Sequence, residues 1–474
     1  MSEVADRAPR ALARRLVPLQ VAVGLQGLIL WVPVEKLFMA EIGFDPRTVG
    51  VMAAAYAAVV PLLEVPSGIV ADRWSRNRIM VCATAALIAS TLLGGLSRDV
   101  PTYIAAAMIL GVYFALSSGT VDSIVYDVVV EETGGSDQYE AWIGRIRMVE
   151  SAAFVTSALA GGLLAGWTSA RLTYFVTLPF IAVAIVAFLR FDEPQLHRAA
   201  EPIALRRHVA LTYQTMIREP GVRQAMLLAA LVGLLSQAVF EFGPLWLVAL
   251  AAPAALFGPY WAALVSTLGV GGFLTGKLNL DRRPLVGMLA LAAPGAAVVL
   301  TQTRSLAAVI VAQTVLALLL AIMSIRAGKL LHDGVASNVR AGVSSGVGTL
   351  SWLLFLPFSL VFGWFARTHG VQRAGWFLTA AALLVGLLLI ASVLRRQRPK
   401  EPTAFACKQL VELVADYLDG VLSPELRAEF QAHLSGCDGC DTYVDQIRRT
   451  IRALQEADLQ LVRRPPPKDP HAAG

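Results

Sequence analysis

The sequence predicts an all-α membrane protein: twelve transmembrane helices in two six-helix pseudo-symmetric bundles, with a small helical domain attached at the C-terminus. Three observations carry this expectation. The 474 residues have a mean hydropathy of +0.62 and only 16% charged residues, where a soluble globular chain carries about 25%. The charge deficit is concentrated in uncharged runs of roughly 20 residues, the length that crosses a ~30 Å hydrocarbon layer at ~1.5 Å per residue. The composition turns abruptly polar after Arg395-Arg-Gln-Arg398-Pro-Lys400.

The apolar runs are Leu16–Phe38, Val49–Ala71, Ile79–Leu96, Pro101–Val121, Met148–Trp167 and Leu172–Leu189 in the first half. In the second half they are Gln224–Val248, Ala254–Thr275, Pro284–Thr303, Ser305–Ile325, Ala341–Phe365 and Ala374–Leu394. The basic N-terminus, with Arg7, Arg10, Arg14 and Arg15, has the look of a secretory signal. The run behind it is too long for a signal core and no A-x-A site closes it, so it reads as a retained first helix. Pro253, Gly258 and Pro259 supply the expected turn between the seventh and eighth runs. Cys82 lies within the third run and reads as a small core hydrophobe.

Lysine and arginine counts orient the helices. With the N-terminus cytoplasmic, the inner segments hold 25 basic residues and the outer ones seven, which places both termini in the cytoplasm. The net charge of +6 is therefore largely a topogenic signal, and no nucleic-acid partner is expected. The domain plan is 1–200 for the first bundle, 201–223 for a cytoplasmic central loop and 224–400 for the second bundle. A cytoplasmic helical domain over 401–462 and a disordered tail over 463–474 complete it. Two bundles of six suit a secondary transporter with a midplane site between pseudo-symmetric halves, for a small-molecule substrate in a lipid bilayer.

Between the second and third runs stands Gly68-Ile-Val-Ala-Asp72-Arg73-Trp-Ser-Arg76-Asn-Arg78, preceded by Glu64. Glu64, Gly68 and Asp72 recur at i, i+4 and i+8 and so share one helical face. Gly68 allows a second helix to approach closely. Asp72 at a helix C-terminus is unfavourable to the dipole and calls for a cationic partner, which Arg73, Arg76 and Arg78 can provide. This stretch resembles the signature of the major facilitator superfamily, G-x-x-x-D-R-x-G-R-[KR], at Gly68, Asp72, Arg73 and Arg76, with Ser75 and Asn77 as departures. With the helix count and the central loop, the resemblance covers about 400 residues. It implies alternating access with this loop as the cytoplasmic gate, and proton-coupled efflux as one mode of use. Two features of proton-coupled exporters differ: the stretch from Tyr103 to Gly111 has no basic residue, and Gly161, Gly162 and Gly166 only hint at the helix-five glycine motif.

Ionisable groups inside a membrane are costly and serve as functional candidates. Glu64, Asp122, Glu150 and Glu241 qualify as coupling or substrate residues, Glu241 being the deepest. Glu150 has Arg147 or Arg145 as an alternative partner, and Asp122 sits near a cytoplasmic helix end. Glu35 and Lys36, at an outer helix end, read as a snorkelling pair. Gln26, Trp31, Tyr113, Gln237, Trp246, Trp352 and Phe355 are candidates to line a cavity. His332 has no second ligand spaced with it and carries no metal expectation.

In the polar tail a helical run over Lys408–Asp419 carries Leu410, Leu413, Val414 and Leu418 on one face, and Gly420 ends it. Ser423-Pro424-Glu425 opens a second helix as N-cap, N1 and first-turn acid. That helix closes at Gly436, and a third follows from Thr442 to about Leu461. His433 and Cys437 are one turn apart, and Cys437-x-x-Cys440 is a knuckle that brings two thiolates to one ion. Cys407 is the remaining thiol of the tail. Cys407, His433, Cys437 and Cys440 are thus the expected ligands of a Zn²⁺ ion in a closed N/S tetrahedron. A redox C-x-x-C instead opens a helix after a strand, and no strand is expected here. The order C…H-x-x-x-C-x-x-C resembles the zinc-containing anti-sigma factor domain of bacteria over about 50 residues. That resemblance implies a sigma factor as a cytoplasmic partner and zinc loss on thiol oxidation in some members. The sequence expectation is a non-enzymatic secondary transporter of the bacterial cytoplasmic (inner) membrane with a cytoplasmic zinc-binding regulatory domain. The rival is a membrane sensor whose zinc domain sequesters a transcription factor.

Overall fold

Every regular element among the described residues is helical. The computed structural model describes residues 2–73, 75–118, 120–135, 138–193, 220–278, 280, 282–333, 340–396 and 407–462. Residues 201–219 of the expected central loop (201–223) and the tail at 463–474 lie outside these residues, as do the side chains of Glu64, Asp72 and Arg73 and the surroundings of Gly68. Residues 220–223 open a helix and do not continue the loop. The chain divides into two compact units, Met1–Val393 and Leu394–Gly474.

The first unit begins with α1 (Ser2–Gly27), a 3-10 turn (Val32–Val34) and α2 (Glu35–Glu41). Next come α3 (Pro46–Arg73), α4 (Arg76–Leu96), α5 (Val100–Ser117), α6 (Thr120–Thr133), α7 (Tyr139–Trp167) and α8 (Ala170–Leu189). The second half consists of α9 (Pro220–Phe242), α10 (Pro244–Ala249), α11 (Ala254–Lys277), α12 (Arg283–Gln302), α13 (Leu306–Asp333), α14 (Arg340–His369) and α15 (Val371–Arg396). These form twelve segments long and apolar enough to span a membrane among the described residues. Their outward faces carry large apolar side chains such as Trp167 (81% exposed), Leu62 (73%) and Leu291 (72%). Water would penalise so much contiguous apolar surface, whereas a bilayer covers it. Cys82 also faces outward; it is not the core residue expected, because its position on α4 falls on the side away from α5 and α8.

Two of the twelve segments are interrupted at corresponding places, the first and the seventh. Pro33 has no N–H to donate and cannot continue α1, and Gly161 on α7 leaves room for the Leu30 carbonyl to pack against it. The loosened backbone finds a side-chain partner: Leu30 N–H donates to Thr177 Oγ1 at 3.1 Å. In the seventh segment a single residue, Gly243, separates the end of α9 at Phe242 from Pro244, which starts α10. There the Gly243 carbonyl accepts from Gln313 Nε2 at 3.2 Å, and Gln313 Oε1 accepts from the Tyr260 hydroxyl at 2.5 Å. The turn between the seventh and eighth segments is shorter than expected. The chain reverses before Pro253, with Ala251 at φ +51°, and Gly258 and Pro259 belong to α11.

The halves meet along α3 against α14 and α7 against α11. At one end the backbones touch without intervening side chains. A Cβ on Gly363 would lie 2.6 Å from the Pro46 carbonyl, and one on Gly162 would lie 2.6 Å from Gly258 Cα. Arg367 Nε pairs with Asp45 Oδ2 at 3.1 Å beside the first of these contacts. All of these residues lie near the starts of α3 and α11 and the finishes of α7 and α14. This is the end away from α1's start, called here the far end.

The second unit packs α16 (Cys407–Leu418), α17 (Pro424–Gly436) and α18 (Asp438–Val462) around Leu410, Val414, Phe430, Cys440 and Val444. Tyr417 stacks on Phe430 at 4.1 Å. Ser423 caps α17 by accepting from Leu426 N–H at 3.3 Å, and Gly420 takes φ +74° after α16. The third helix starts four residues earlier than the expected Thr442. The N–H groups of Cys440 and Asp441 both donate to the Cys437 carbonyl at 3.1 Å, so the knuckle is itself the first helical turn.

Candidate functional site

A cavity of about 680 Å³ lies between the halves of the first unit. Trp31, Tyr56 and Phe114 line it from one half, and Gln237, Glu241, Trp261, Ser324 and Trp352 from the other. Three of the seven cavity candidates, Trp31, Gln237 and Trp352, are lining residues. The other four are structural. Gln26 is buried and donates to Thr84 Oγ1 at 2.8 Å. Trp246 is fully buried and donates to the Leu300 carbonyl at 3.0 Å. Tyr113 and Phe355 pack in the core.

A charged cluster forms the cavity wall between the two helix breaks. Lys36 Nζ donates to Glu35 Oε2 at 2.8 Å and to Glu241 Oε1 at 2.5 Å. The Tyr56 hydroxyl donates to Glu241 Oε2 at 2.9 Å, and the Tyr103 hydroxyl donates to Glu35 Oε1 at 2.9 Å. Tyr174 completes the chain, its hydroxyl 2.7 Å from that of Tyr103, and its ring stacks on Trp31 at 4.9 Å. Lys36 is only 3% exposed, so the expected snorkelling pair is corrected. The kink after Pro33 turns α2 inward, and an ammonium removed from water needs both carboxylates. Glu241, the deepest candidate, is the cluster's contribution from the second half.

The remaining membrane candidates lie apart from this cluster, toward the end where α1 starts. Arg147 bridges Asp122 Oδ2 at 2.7 Å and Glu150 Oε2 at 2.9 Å, half exposed. Arg76 Nη1 pairs with Asp127 Oδ2 at 2.5 Å. Arg15 contacts Glu132 at 2.7 Å and Glu131 at 3.4 Å. Three arginines from α1, α4 and α7 thus meet the acidic α6. The two departures from the signature have local work. Ser75 accepts from Arg78 N–H at 3.1 Å as the cap of α4 and also bonds Glu193. Asn77 Nδ2 donates to the Phe188 carbonyl at 2.9 Å. Both fasten the start of α4 to the end of α8. Arg78 is exposed.

Sequence reasoning missed Lys36 and Glu35 as site residues. The signal was present as Leu-Trp31-Val-Pro33-Val-Glu35-Lys36 in the first run and Glu241-Phe-Gly243-Pro244 in the seventh. Proline interruptions at matching places in two halves point to a midplane site.

In the second unit the ligand atoms of Cys407, His433, Cys437 and Cys440 lie within 4.8 Å of one another. Cys407 Sγ is 3.6 Å from His433 Nε2 and 3.9 Å from Cys437 Sγ. A tetrahedron with Zn–S of ~2.3 Å and Zn–N of ~2.05 Å has edges of about 3.6 and 3.8 Å, so the donors fit the ion. Backbone N–H donation from Cys440 holds the Cys437 thiol below its ordinary range. Burial is the first cause that pushes Cys440 up, to about 12. The C-x-x-C does open a helix, contrary to the sequence expectation, but no strand precedes it among the described residues. The thiols face a histidine and a third cysteine.

Two helical halves around a shared cavity, with large apolar side chains on their outward faces, are the architecture of a multi-pass membrane protein. The Major Facilitator Superfamily model matches residues 16–349, and the chain belongs to that family. A second model, described as "Putative zinc-finger", matches residues 407–440. Solved structures share the fold at low identity. The nucleoside transporter NupG aligns with a TM-score of 0.65 at 12% identity, over 79% of this chain and 98% of that one. A bacterial homolog of the human lysosomal transporter Spinster, inward-facing and unoccupied, aligns at 0.60 and 17%, over 81% and 94%. A D-xylose-proton symporter aligns at 0.62 and 12%, over 79% and 97%. No curated protein matches the chain in sequence.

Proposed function

We propose that this chain is a secondary transporter that carries a small molecule across the bacterial cytoplasmic membrane by alternating access, with both termini cytoplasmic. One observation carries the reading. The cavity between the halves is closed at the far end by glycine contacts, and its lining runs the other way to Leu268 and Ser324, both exposed. The basic-residue asymmetry supports a cytoplasmic placement of that other end, and on this reading the opening belongs to an inward-facing state. The loop carrying Asp72, Arg73 and Arg76 stands at the cytoplasmic end, where the Arg76–Asp127 pair supports a gating role.

The test is two-sided accessibility. Ser236→Cys places a thiol on the cavity wall, and labelled peptide is quantified by mass spectrometry after an impermeant maleimide is applied to either face of sealed vesicles. Labelling from both faces supports alternation, and labelling from one face only removes the reading. Asp72→Asn is expected to confine labelling to one face without loss of insertion, and unchanged two-sided labelling would refute the gating role.

The zinc unit is read as regulatory. Val411, Val421 and Ile451 are exposed on it, which favours a protein partner such as a sigma factor, as does the anti-sigma resemblance. Capture on residues 401–474 with and without chelator tests this, and no partner in either state removes the signalling role.

A further inference from the structure

We infer that the cavity takes a monovalent aromatic or lipophilic cation, which exchanges for one proton at the Glu35–Lys36–Glu241 cluster. The inference rests on the transport reading and deepens it. The cluster sets two carboxylates against one ammonium, 2.8 and 2.5 Å away, so with all three ionised it holds one uncompensated negative charge. Lys36 is committed to both acids. An arriving anion would meet an ammonium already shared and would add a third buried negative charge, a costly arrangement. A proton or a cation instead brings the site to neutrality.

The lining supports the same sign. Trp31, Tyr56, Trp261 and Trp352 present aromatic surface to the cavity, and aromatic faces attract cations through their quadrupole. The groups donating to the acids are the Tyr56 hydroxyl from α3 and the Tyr103 hydroxyl from α5, both neutral, with the Tyr174 hydroxyl of α8 behind them on Tyr103. Arg171 of α8 is directed elsewhere: its guanidinium lies 4.9 Å from the Phe38 ring centre and donates to the Gly95 carbonyl at 2.6 Å. The cluster also spans the halves, since Glu35, Lys36 and Tyr56 belong to the first and Glu241 to the second. The exchange is balanced: the bound proton leaves to solvent as the cation enters, the cluster's own charge goes from zero to minus one, and the cation restores the site as a whole to neutrality.

The probe is tetraphenylphosphonium, with tetraphenylborate as a ligand of the same shape and opposite charge. Each is measured separately as saturable binding to the full-length protein in nanodiscs. Tetraphenylphosphonium is expected to bind at one site, with affinity falling several-fold from pH 8 to pH 5 as protons compete. Glu241→Gln should weaken binding by about tenfold or more, Glu35→Gln should weaken it as well, and Lys36→Met should strengthen it. Tetraphenylborate should show no saturable binding. Absence of saturable phosphonium binding, equal binding of the borate, or indifference to both glutamate substitutions and to pH would overturn the inference. The Ser236→Cys assay separates the two failures. Two-sided labelling without phosphonium binding overturns the substrate class and leaves transport standing, whereas one-sided labelling overturns the transport reading itself.

Discussion

The chain contains two polar clusters that solve the same problem by different means. In the second unit, four ligands within 34 residues converge because two short helices and a knuckle bring them to one point. In the first, Lys36 and Glu241 stand 205 positions apart and meet only because two broken helices cross between the halves. The local cluster has the donors to hold an ion, and its thiols and imidazole gain little from one another alone. The long-range cluster supplies its own counter-charge, and the surrounding helices hold it in place. A site built from adjacent residues can therefore depend on a ligand for its fold. A site built from distant residues is fixed by the fold and can let a ligand come and go.

Removing the metal should have the largest effect. Structural zinc contributes about 10–16 kcal/mol of apparent folding free energy in small domains. If the four donors hold one zinc ion per chain, chelation, or Cys440→Ser in the full chain, should remove it and leave 407–462 open to protease, while the membrane unit stays resistant. Zinc content by mass spectrometry and limited proteolysis check this, and a protease-resistant Cys440→Ser tail would break the contrast.

Lys36→Met comes next, because it leaves two carboxylates buried without a cation. Breaking a buried pair costs about 3–5 kcal/mol. The double substitution Lys36→Met/Glu241→Gln should recover part of the loss, as one buried charge is removed with its partner. Thermal unfolding of the three proteins gives the answer, and additive losses would show that the pair is not coupled.

At the far end, Gly162→Ala places a Cβ 2.6 Å from Gly258 Cα. Overpacking of this kind costs about 1–3 kcal/mol, and the cost falls on the far-end-closed state. Ser236→Cys should then be labelled more from the outer face, and an unchanged ratio would mean the contact does not seal the cavity.

The exposed pairs should matter least. Arg147→Ala removes the bridge to Asp122 and Glu150, but these groups are half in solvent and the loss should be about 1 kcal/mol or less. Asp45 lies between α2 and α3. Burial raises its pKa, but the Thr48 hydrogen bonds and the Arg367 charge outweigh that, and its carboxyl is held below the usual range. A carboxylate depressed in this way stabilises the far end at neutral pH, and that contribution is lost as pH falls below the ordinary carboxylate value. Two-sided labelling at pH 7 and pH 3.5 should show the far end loosening slightly, and Asp45→Asn should remove that pH dependence.

Much was legible in the residue order because membrane helices obey strong local rules. Twelve apolar runs and the grouping of Cys407, His433, Cys437 and Cys440 follow from period, spacing and composition. The start of α18 was placed late because the sequence reading treated the Cys437 knuckle as a turn before the helix. Its backbone amides instead close on the Cys437 carbonyl as helical hydrogen bonds.

The tertiary structure alone decided what faces what. Cys82 sits in an apolar run whether it points to lipid or to protein, and hydropathy cannot tell the two apart when both are apolar. Gly258 and Pro259 read as a turn until Gly162 is seen to need a bare backbone opposite. Lys36 read as an end-of-helix residue because its charge neutralisation comes from Glu241, in the other half of the molecule. Sequence by itself determined the twelve membrane-length helices and the set of four groups that could hold a metal, since these depend on neighbours in the chain. The cavity, its sealed end and the meeting of Glu35 and Lys36 with Glu241 were decided by packing, because each depends on residues that only the folded halves bring together.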